Sequence, residues 1–215
     1  MEPTRQEVNT KRNYDSPRRR EQARETREAI IEASRHLFLH EGFGSTTINA
    51  IASEVGVSVD TIYKGFGGKT GLVRAICEVA LAGVGAVHAE DRSDALHRPD
   101  ADPRDIIREW GALTTEVAPR VAPILLLVRD AANTDPDMAS LKAEVDLQRL
   151  GRMTKNAHRL AAGGHLRPGI DADTAGEILW VYSSPEFYEL IVVVRGWTLK
   201  RYGAFIADAL IAALL

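Results

Sequence analysis

The sequence predicts an all-α protein built from two helical units. Apolar residues recur at three- and four-residue intervals through most of the 215 residues, as they do on one face of an amphipathic helix. No segment keeps the strict alternation of apolar and polar residues that is typical of a half-buried strand. A polar stretch with two prolines, residues 89–103, interrupts the helical pattern. We therefore expect one helical unit over residues 21–88 and a second over residues 104–215.

Four helices are predicted in the first unit. Residues 21–40 contain no proline or glycine and carry an apolar stripe, so they form the first helix. Two short helices follow, with Thr46 and Ser58 as the expected N-caps, and Gly56 allows a tight turn between them. A glycine pair then separates the third helix from a fourth over about residues 69–87.

The second unit is predicted to be helical as well, with interruptions at prolines. Pro119 and Pro123 are expected to kink or break the chain ahead of a buried apolar helix. A later helix is expected to be capped by Asp171 or Asp173 and divided near Pro185. The predicted helices that follow the first two prolines cover residues 124–128, 137–162, 171–194 and 199–214.

The charge of the chain is small overall but unevenly distributed. The formal net charge is −3, which excludes a uniformly basic nucleic-acid binder. Residues 1–75, however, hold 12 basic against 10 acidic side chains, whereas residues 76–215 hold 15 against 20. Six of the basic residues lie in the first 20 positions, and three of them, Arg18, Arg19 and Arg20, directly precede the predicted first helix. We interpret residues 1–20 as a flexible basic arm, which either follows DNA phosphates or is a solvated tail.

Other features of the sequence narrow the class of protein. The single Cys77 cannot form an internal disulfide or supply a thiolate cluster, so a reducing, cytoplasmic environment is expected. The longest apolar runs are far shorter than a membrane span, and no apolar stretch follows the basic start. His36 and His40 have a metal-compatible spacing but no obvious third ligand. No nucleophile motif or phosphate-binding loop occurs, so we expect no enzyme activity, no metal and no cofactor.

The second and third helices form a predicted helix-turn-helix, a motif whose second helix enters the major groove in DNA-binding proteins. Two short helices around a glycine turn are also common in other all-α proteins, so the literal residues matter. Gly42-Phe43, Thr46-Thr47, Ile51-Ala52 and the run GVSVDTIYKGFGGKTGL from Gly56 to Leu72 resemble the TetR family of bacterial transcriptional regulators. The family pattern is approximately G-V-S-x-G-T-[LI]-Y-x-[HY]-F-x-x-K-x-x-L, and the resemblance spans about residues 26–76. The chain departs from it at Asp60, where the family usually has Gly, and at Gly65, where it usually has His or Tyr.

The resemblance implies a set of DNA contacts. Asp60 is expected either to accept a hydrogen bond from a cytosine amino group or to stabilise the helix dipole. A lysine in the first turn of a helix opposes the helix dipole, and a nearby phosphate would offset that cost. The expected phosphate contacts are Thr46, Thr47, Tyr63 and Lys69. The expected base-reading residues are Ser58, Val59, Asp60, Thr61 and Lys64.

The resemblance also implies that the second unit binds a small-molecule effector and pairs with a second copy. An apolar pocket with a few polar anchors is expected between the central helices; the alternative role of each lining residue is core packing. Arg129, if buried, needs an anion from Asp130, Glu116 or a ligand. The candidate ligand-binding residues are Trp110, Leu113, Thr114, Arg129, Met153 and Trp180. The candidate dimer residues, which could instead form intrachain core, are Ala175, Ile178, Leu179, Tyr182, Ile206, Ala209, Leu210 and Ala213.

The sequence therefore predicts an N-terminal helix-turn-helix DNA-binding domain with a C-terminal helical ligand-binding and dimerisation domain. The expected function is a homodimeric repressor that binds a palindromic operator in double-stranded DNA and is released by an unknown small-molecule effector. Two alternatives stay open at this point. One is an activator of the same fold, and the other is a helical small-molecule-binding or catalytic protein with a vestigial helix-turn-helix.

Overall fold

Helices follow one another throughout the residues that the computed structural model describes, which are 17–83, 87–98 and 101–215. No strand occurs among these residues, so the predicted all-α class is confirmed. Most of the predicted basic arm, residues 1–16, lies outside the described residues. The first helices of the chain are α1 (Pro17–Glu41), α2 (Ile48–Val55), α3 (Val59–Phe66) and α4 (Lys69–Ala82).

The remaining helices include a short one inside the predicted connection. Five of its six side chains are polar, and it is held against the longer helices by ion pairs that sequence periodicity cannot show. Apart from α6, the other helices agree with the predicted segments, including the break at Pro185 and the cap at Asp171. They are α5 (Ala89–Asp94), α6 (Pro103–Ala131), α7 (Pro136–Ala162), α8 (Ala172–Tyr182), α9 (Pro185–Tyr188), the π-helical segment Glu189–Val194 and α10 (Leu199–Leu214).

The first helix begins four residues earlier than predicted. Pro17 occupies its first position, where the fixed φ of proline favours a helix start and the missing N–H costs nothing. Arg18, Arg19 and Arg20 are therefore exposed residues of the first helical turns and not part of an arm that precedes the helix. This corrects the predicted boundary between arm and domain.

The sixth helix is continuous, although a kink or break was predicted at Pro119 and Pro123. Each proline removes one helical hydrogen bond. Packing of α6 against α4, α7 and α10 holds it together nonetheless. Within the described part of the chain, α6 is the one helix that has the length and hydropathy to cross a membrane, and here it is the central helix of the fold.

The hydrophobic core crosses the predicted boundary between the two units. One cluster joins α1 to α4 with the end of α6 and the start of α7, through Ile124, Val128, Met138 and Leu141. A second cluster joins α6, α7, α8 and α10. The helix-turn-helix packs on α1 and α4, and these two helices contact α6, while α4 also contacts α7. Helices α1 and α4 therefore connect the helix-turn-helix with the two longest helices of the chain.

Candidate nucleic-acid interface and internal cavity

The ends of the helix-turn-helix are fixed by local side-chain and backbone chemistry. The Thr47 hydroxyl caps α2 by accepting a hydrogen bond from the Ala50 N–H at 3.1 Å. Gly56 ends α2 with a φ of 75°, in the left-handed region that favours glycine. The Ser58 hydroxyl then caps α3 through the Thr61 N–H at 3.1 Å. The predicted turn and the predicted cap at Ser58 are confirmed.

Thr46 does not have its predicted role. It is 1% exposed, and its hydroxyl is directed at the backbone oxygens of Gly42, at 2.9 Å, and Leu37, at 3.2 Å. This hydroxyl ties the end of α1 to the start of α2, so neither capping of α2 nor phosphate contact is open to it. The prediction for Thr46 is wrong because the turn after α1 places the N-cap one residue later, at Thr47.

The third helix presents a polar face to solvent over a buried apolar one. Ile62 is fully buried, and Val59 and Phe66 are half-buried against the same core. Val59, predicted to read a base, therefore contributes mainly to packing. The exposed residues of the segment are Ser58, Asp60, Thr61, Tyr63 and Lys64.

Two polar contacts organise this exposed face. Lys64 Nζ donates to Asp60 Oδ2 at 2.6 Å, one helical turn away. Ser58 and Thr61 share a hydroxyl–hydroxyl hydrogen bond of 2.8 Å. Tyr63 is 52% exposed, so most of its ring is accessible to a ligand. The face can donate and accept hydrogen bonds at base edges and phosphates.

Lys69 stands at the start of α4, as predicted, but its ammonium is already engaged within the chain. It donates to the Phe43 carbonyl oxygen and lies 4.2 Å from the centre of the Phe43 ring. Burial lowers the pKa of Lys69, and the charge of Asp135 acts against that change. An ammonium carries three N–H donors, so the contact with Phe43 leaves donors for a phosphate.

A basic residue that sequence reasoning missed lies beside the end of α3. Arg27 of α1 donates to the Gly65 backbone oxygen at 3.3 Å, and its guanidinium lies 4.4 Å from the centre of the Phe66 ring. A side chain at Gly65 would meet open space. The sequence did contain a signal for Arg27. The family usually has His or Tyr at the position of Gly65, and glycine there removes an aromatic ring beside this arginine.

A cavity of about 260 Å³ lies among the helices of the second unit. Four of the six candidate ligand residues line it: Trp110, Leu113, Thr114 and Met153. Leu81 near the end of α4 and three residues of α5 also contribute to its wall. The cavity therefore touches both the last helix of the N-terminal unit and the short helix that follows it.

Arg129 and Trp180 do not line that cavity but a neighbouring one of about 340 Å³. The Arg129 side chain is 31% exposed and donates to Glu189 at 2.8 Å and to Asp130 at 2.9 Å. These two hydrogen bonds raise the pKa of Arg129. Its charge is thus balanced within the chain, in part by the predicted Asp130, and Glu116 instead pairs with Arg92.

A second arginine, missed from the sequence, lies in the walls of both cavities. The Arg149 side chain is 14% exposed, and its guanidinium donates to the Trp180 carbonyl oxygen and, at 3.1 Å, to the Ser183 hydroxyl. It also lies 4.5 Å from the centre of the Trp180 ring. Burial lowers the pKa of Arg149, and the charge of Asp146 opposes this.

Most of the predicted dimer residues are occupied within the chain. Ala175, Leu179, Ile206 and Leu210 are between 0% and 4% exposed and belong to the second core cluster. The half-buried residues Ile178, Tyr182 and Ala213 pack against that cluster, and Ala209 is half-buried too. The prediction is wrong for the four buried residues, because each stripe faces the neighbouring helices of its own chain.

Comparison with known proteins identifies the N-terminal unit. Residues 30–76 match the family described as "Bacterial regulatory proteins, tetR family". The chain is 30% identical over 90 residues to the HTH-type transcriptional regulator AcrR of Shigella flexneri, a match that covers 42% of this chain and 40% of AcrR. The chain thus spans less than half the length of the curated relatives it matches.

Solved structures share the fold over nearly the whole chain. The SmeT–triclosan complex superposes with a TM-score of 0.69 at 22% identity, covering 89% of this chain and 92% of SmeT. NalD, the secondary repressor of the MexAB-OprM multidrug efflux pump in Pseudomonas aeruginosa, gives a TM-score of 0.68 at 19% identity, with coverages of 90% and 98%. The match over residues 30–76 makes the N-terminal unit similar to the DNA-binding part of TetR-family regulators, and the chain shares the fold of these solved structures.

The described parts of the chain contain two features that bear on metal and thiol chemistry, the histidine pair of α1 and the buried Cys77. No group of three or more His, Cys, Asp and Glu residues there could hold a metal ion. His36 and His40 stack with their ring centres 5.9 Å apart. Burial raises the pKa of the Cys77 thiol to about 12, so the thiolate needed for reaction is scarce at neutral pH.

Proposed function

We propose that this chain is a TetR-family regulator, a cytoplasmic, homodimeric repressor that binds a palindromic operator and is released by a small-molecule effector. The observation that carries the proposal is the helix α4, which begins beside the polar face of α3 and ends at the wall of the cavity. Fourteen residues make it about 20 Å long. One rigid element thus connects the proposed DNA surface with the proposed effector site.

The proposed DNA surface is the exposed face of α3 together with the start of α2. Tyr63 and Lys64 supply donors for phosphates or bases, and Thr47, Ser58 and Thr61 supply hydroxyls. Arg27, beside the end of α3, and Lys69, at the start of α4, add positive charge. In a dimer, two such faces would enter successive major grooves.

The proposed release mechanism works through the C-terminal end of α4. Leu81 lines the cavity, Arg74 pairs with Glu144 of α7, and the Val79 carbonyl accepts a hydrogen bond from Arg120 of α6 at 3.4 Å. An effector that binds more tightly when α6 and α7 are displaced would tilt α4 and change the separation of the two reading heads.

A different surface from the predicted stripes is available for dimerisation. Several large apolar residues of α8 and the π-helical segment remain exposed: Val181 at 45%, Leu190 at 61%, Val193 at 63% and Val194 at 66%. We propose that they meet the same residues of a second copy, since an isologous contact buries such a patch on both partners. Val181→Glu with Val193→Glu should give a monomer by light scattering. Leu147→Glu, at an exposed leucine of α7, is the matched control and should leave the dimer intact.

The experiment that tests DNA binding measures fluorescence anisotropy with a duplex obtained by selection. Tyr63→Ala with Lys64→Ala should weaken binding at least tenfold, because two contacts are lost, while the urea midpoint of unfolding stays near that of the wild type. Arg108→Ala, in an exposed helical ion pair of α6, is the matched control and should leave affinity unchanged. Unchanged DNA affinity in the double variant would favour the second candidate, a helical small-molecule-binding protein with a vestigial helix-turn-helix.

A further inference from the structure

We propose that the cavity binds an apolar molecule with an anionic head group, and that Arg149 binds the head group. This inference rests on the proposed function, since it names the chemical class of the effector. Its first basis is that the buried charged side chains in the cavity wall are cations. The charged residues lining the 260 Å³ cavity are Glu90, Arg149 and Arg152. Glu90 is exposed, whereas the two arginine side chains are only 14% and 13% exposed.

The basic side chains around the cavities outnumber their acidic partners. Among the described ion pairs, Asp94 is shared by Arg152 at 2.7 Å, Lys155 at 2.8 Å and Arg159 at 2.5 Å. A second carboxylate, Asp146, is shared by Lys142 at 2.7 Å and Arg149 at 3.5 Å. Five cations of α7 therefore share two carboxylates, and two of the five, Arg149 and Arg152, line the 260 Å³ cavity.

Arg149 has only a loose ion pair. Its described salt-bridge partner, Asp146, is at 3.5 Å and holds Lys142 more closely, and the charge of Glu186 in the neighbouring wall also acts on it. The Trp180 carbonyl and the Ser183 hydroxyl position the guanidinium but do not neutralise it. The Nε atom of Arg149 is buried and has no hydrogen-bond partner among the described residues. A buried cation without a full partner is costly, and a bound anion would remove that cost.

The remainder of the wall suits an apolar body. Leu113, Val117, Met153 and Leu179 surround the space, and buried Tyr202 adds a ring. Burial raises the pKa of Tyr202 to about 12, so its hydroxyl remains protonated and can donate to an anion. Aromatic walls can also hold a cationic ligand. The two buried arginines in the wall, Arg149 and Arg152, oppose a cation, which is why we favour an anion.

The test uses three probes with the same apolar chain: octanoate, 1-octanol and octyltrimethylammonium. Isothermal titration of the full-length protein at neutral pH and low salt should give octanoate an affinity roughly tenfold above each of the other two, as a charge-assisted hydrogen bond supplies. Arg149→Leu should lower octanoate affinity to that of octanol and leave octanol within about twofold. Arg149→Lys keeps the positive charge and should still bind octanoate more tightly than octanol. This variant provides the test if Arg149→Leu fails to fold.

A matched control separates Arg149 from other arginines of the region. Arg129→Gln removes a cation that Glu189 and Asp130 already balance, so the preference for octanoate should persist. Equal or tighter binding of octanol or the ammonium probe to the wild type would overturn the inference and leave the effector cavity standing. Failure of all three probes, with DNA binding intact, would overturn the inference and the effector part of the proposed function. A preference for octanoate without DNA binding would contradict the proposed regulator alone.

Discussion

Lys64 and Asp60 form an ion pair along the exposed face of α3, with Nζ and Oδ2 2.6 Å apart. Their side chains are 78% and 72% exposed, so water and salt screen the pair and its contribution to stability is small. Its consequence is functional, because α3 contains no other lysine or arginine. Asp60 therefore lies beside the single cation of the proposed recognition helix, and we expect it to weaken binding to phosphates in general.

Asp60→Asn should release Lys64 for phosphate contact. We expect tighter binding to DNA of random sequence, by roughly tenfold at low salt, and a slope of log K against log salt that is steeper by about one. Anisotropy titrations at several salt concentrations measure both quantities. Asp105→Asn is the matched control, because Asp105 pairs with Arg108 in the same way on exposed α6. A gain of the same size in the control would show that net charge, and not Lys64, is responsible.

Gly111 and Gly203 allow α6 and α10 to cross closely. A Cβ at Gly111 would lie 2.6 Å from the Gly203 oxygen, and one at Gly203 would lie 2.5 Å from the Gly111 oxygen. Either glycine changed to alanine should lower the free energy of unfolding by about 1–3 kcal/mol, because backbone must move to relieve the clash. Urea denaturation measures this.

The control for the helix crossing is Gly151 of α7, where an added Cβ meets nothing within 4 Å. Gly151→Ala should raise the free energy of unfolding by up to about 1 kcal/mol, because alanine is the better helix former. If Gly111→Ala were also stabilising, the two helices would not cross as closely as described.

The neighbouring threonines at the start of α2 should separate stability from DNA binding. Thr46→Val removes a buried hydroxyl and should cost about 1–2 kcal/mol of stability while leaving the DNA affinity of folded protein unchanged. Thr47→Val removes the exposed cap and should cost about 1 kcal/mol and also weaken DNA binding. Chemical denaturation and anisotropy on the same two variants provide the comparison. Loss of DNA affinity in folded Thr46→Val would restore Thr46 as a contact.

Asp94 should make the attachment of α5 dependent on pH. Burial alone would raise the pKa of Asp94, but hydrogen bonds from Lys155 and Arg159 and the charge of Arg152 lower it well below its ordinary value. A carboxylate with a lowered pKa stabilises the fold above its unfolded-state pKa of about 4, and that stabilisation is lost as the pH falls towards the folded-state value.

Asp94→Asn should therefore be less stable than the wild type at pH 7, and the difference should shrink below about pH 4. Urea midpoints across this pH range measure the effect. Exposed Asp105, in a simple surface pair, is the control and should show little change on conversion to asparagine. A difference between wild type and Asp94→Asn that is constant with pH would contradict the ionic role.

Local sequence signals made the helix-turn-helix predictable. The other elements were harder to predict because they depend on packing between residues that are distant in sequence. Gly56 and Ser58 mark the turn and the third helix by their own backbone and hydroxyl chemistry. The N-cap was misplaced by one residue because two threonines are adjacent and only the fold determines which of them is buried. Pro119 and Pro123 predicted a break because the helices that hold α6 together are distant in sequence.

The candidate sites show the same division. Four cavity residues followed from the family resemblance and from their residue types. Arg149 did not, because its contacts are with Trp180 and Ser183, more than 30 positions away. The apolar stripes of α8 and α10 fit a dimer face and a core equally well by periodicity. Leu179 and Leu210 are buried within the single chain, so for these two residues the core is the correct alternative.

The central claim, that this protein is a sequence-selective DNA-binding regulator, is tested most directly by selecting bound duplexes from a randomised library with the purified full-length protein. The account predicts enrichment of an inverted repeat whose half-sites are separated by about one helical turn or a multiple of it. Tyr63→Ala with Lys64→Ala should abolish that enrichment. Duplexes that remain indistinguishable from the input library, with a folded wild-type dimer, would contradict the account.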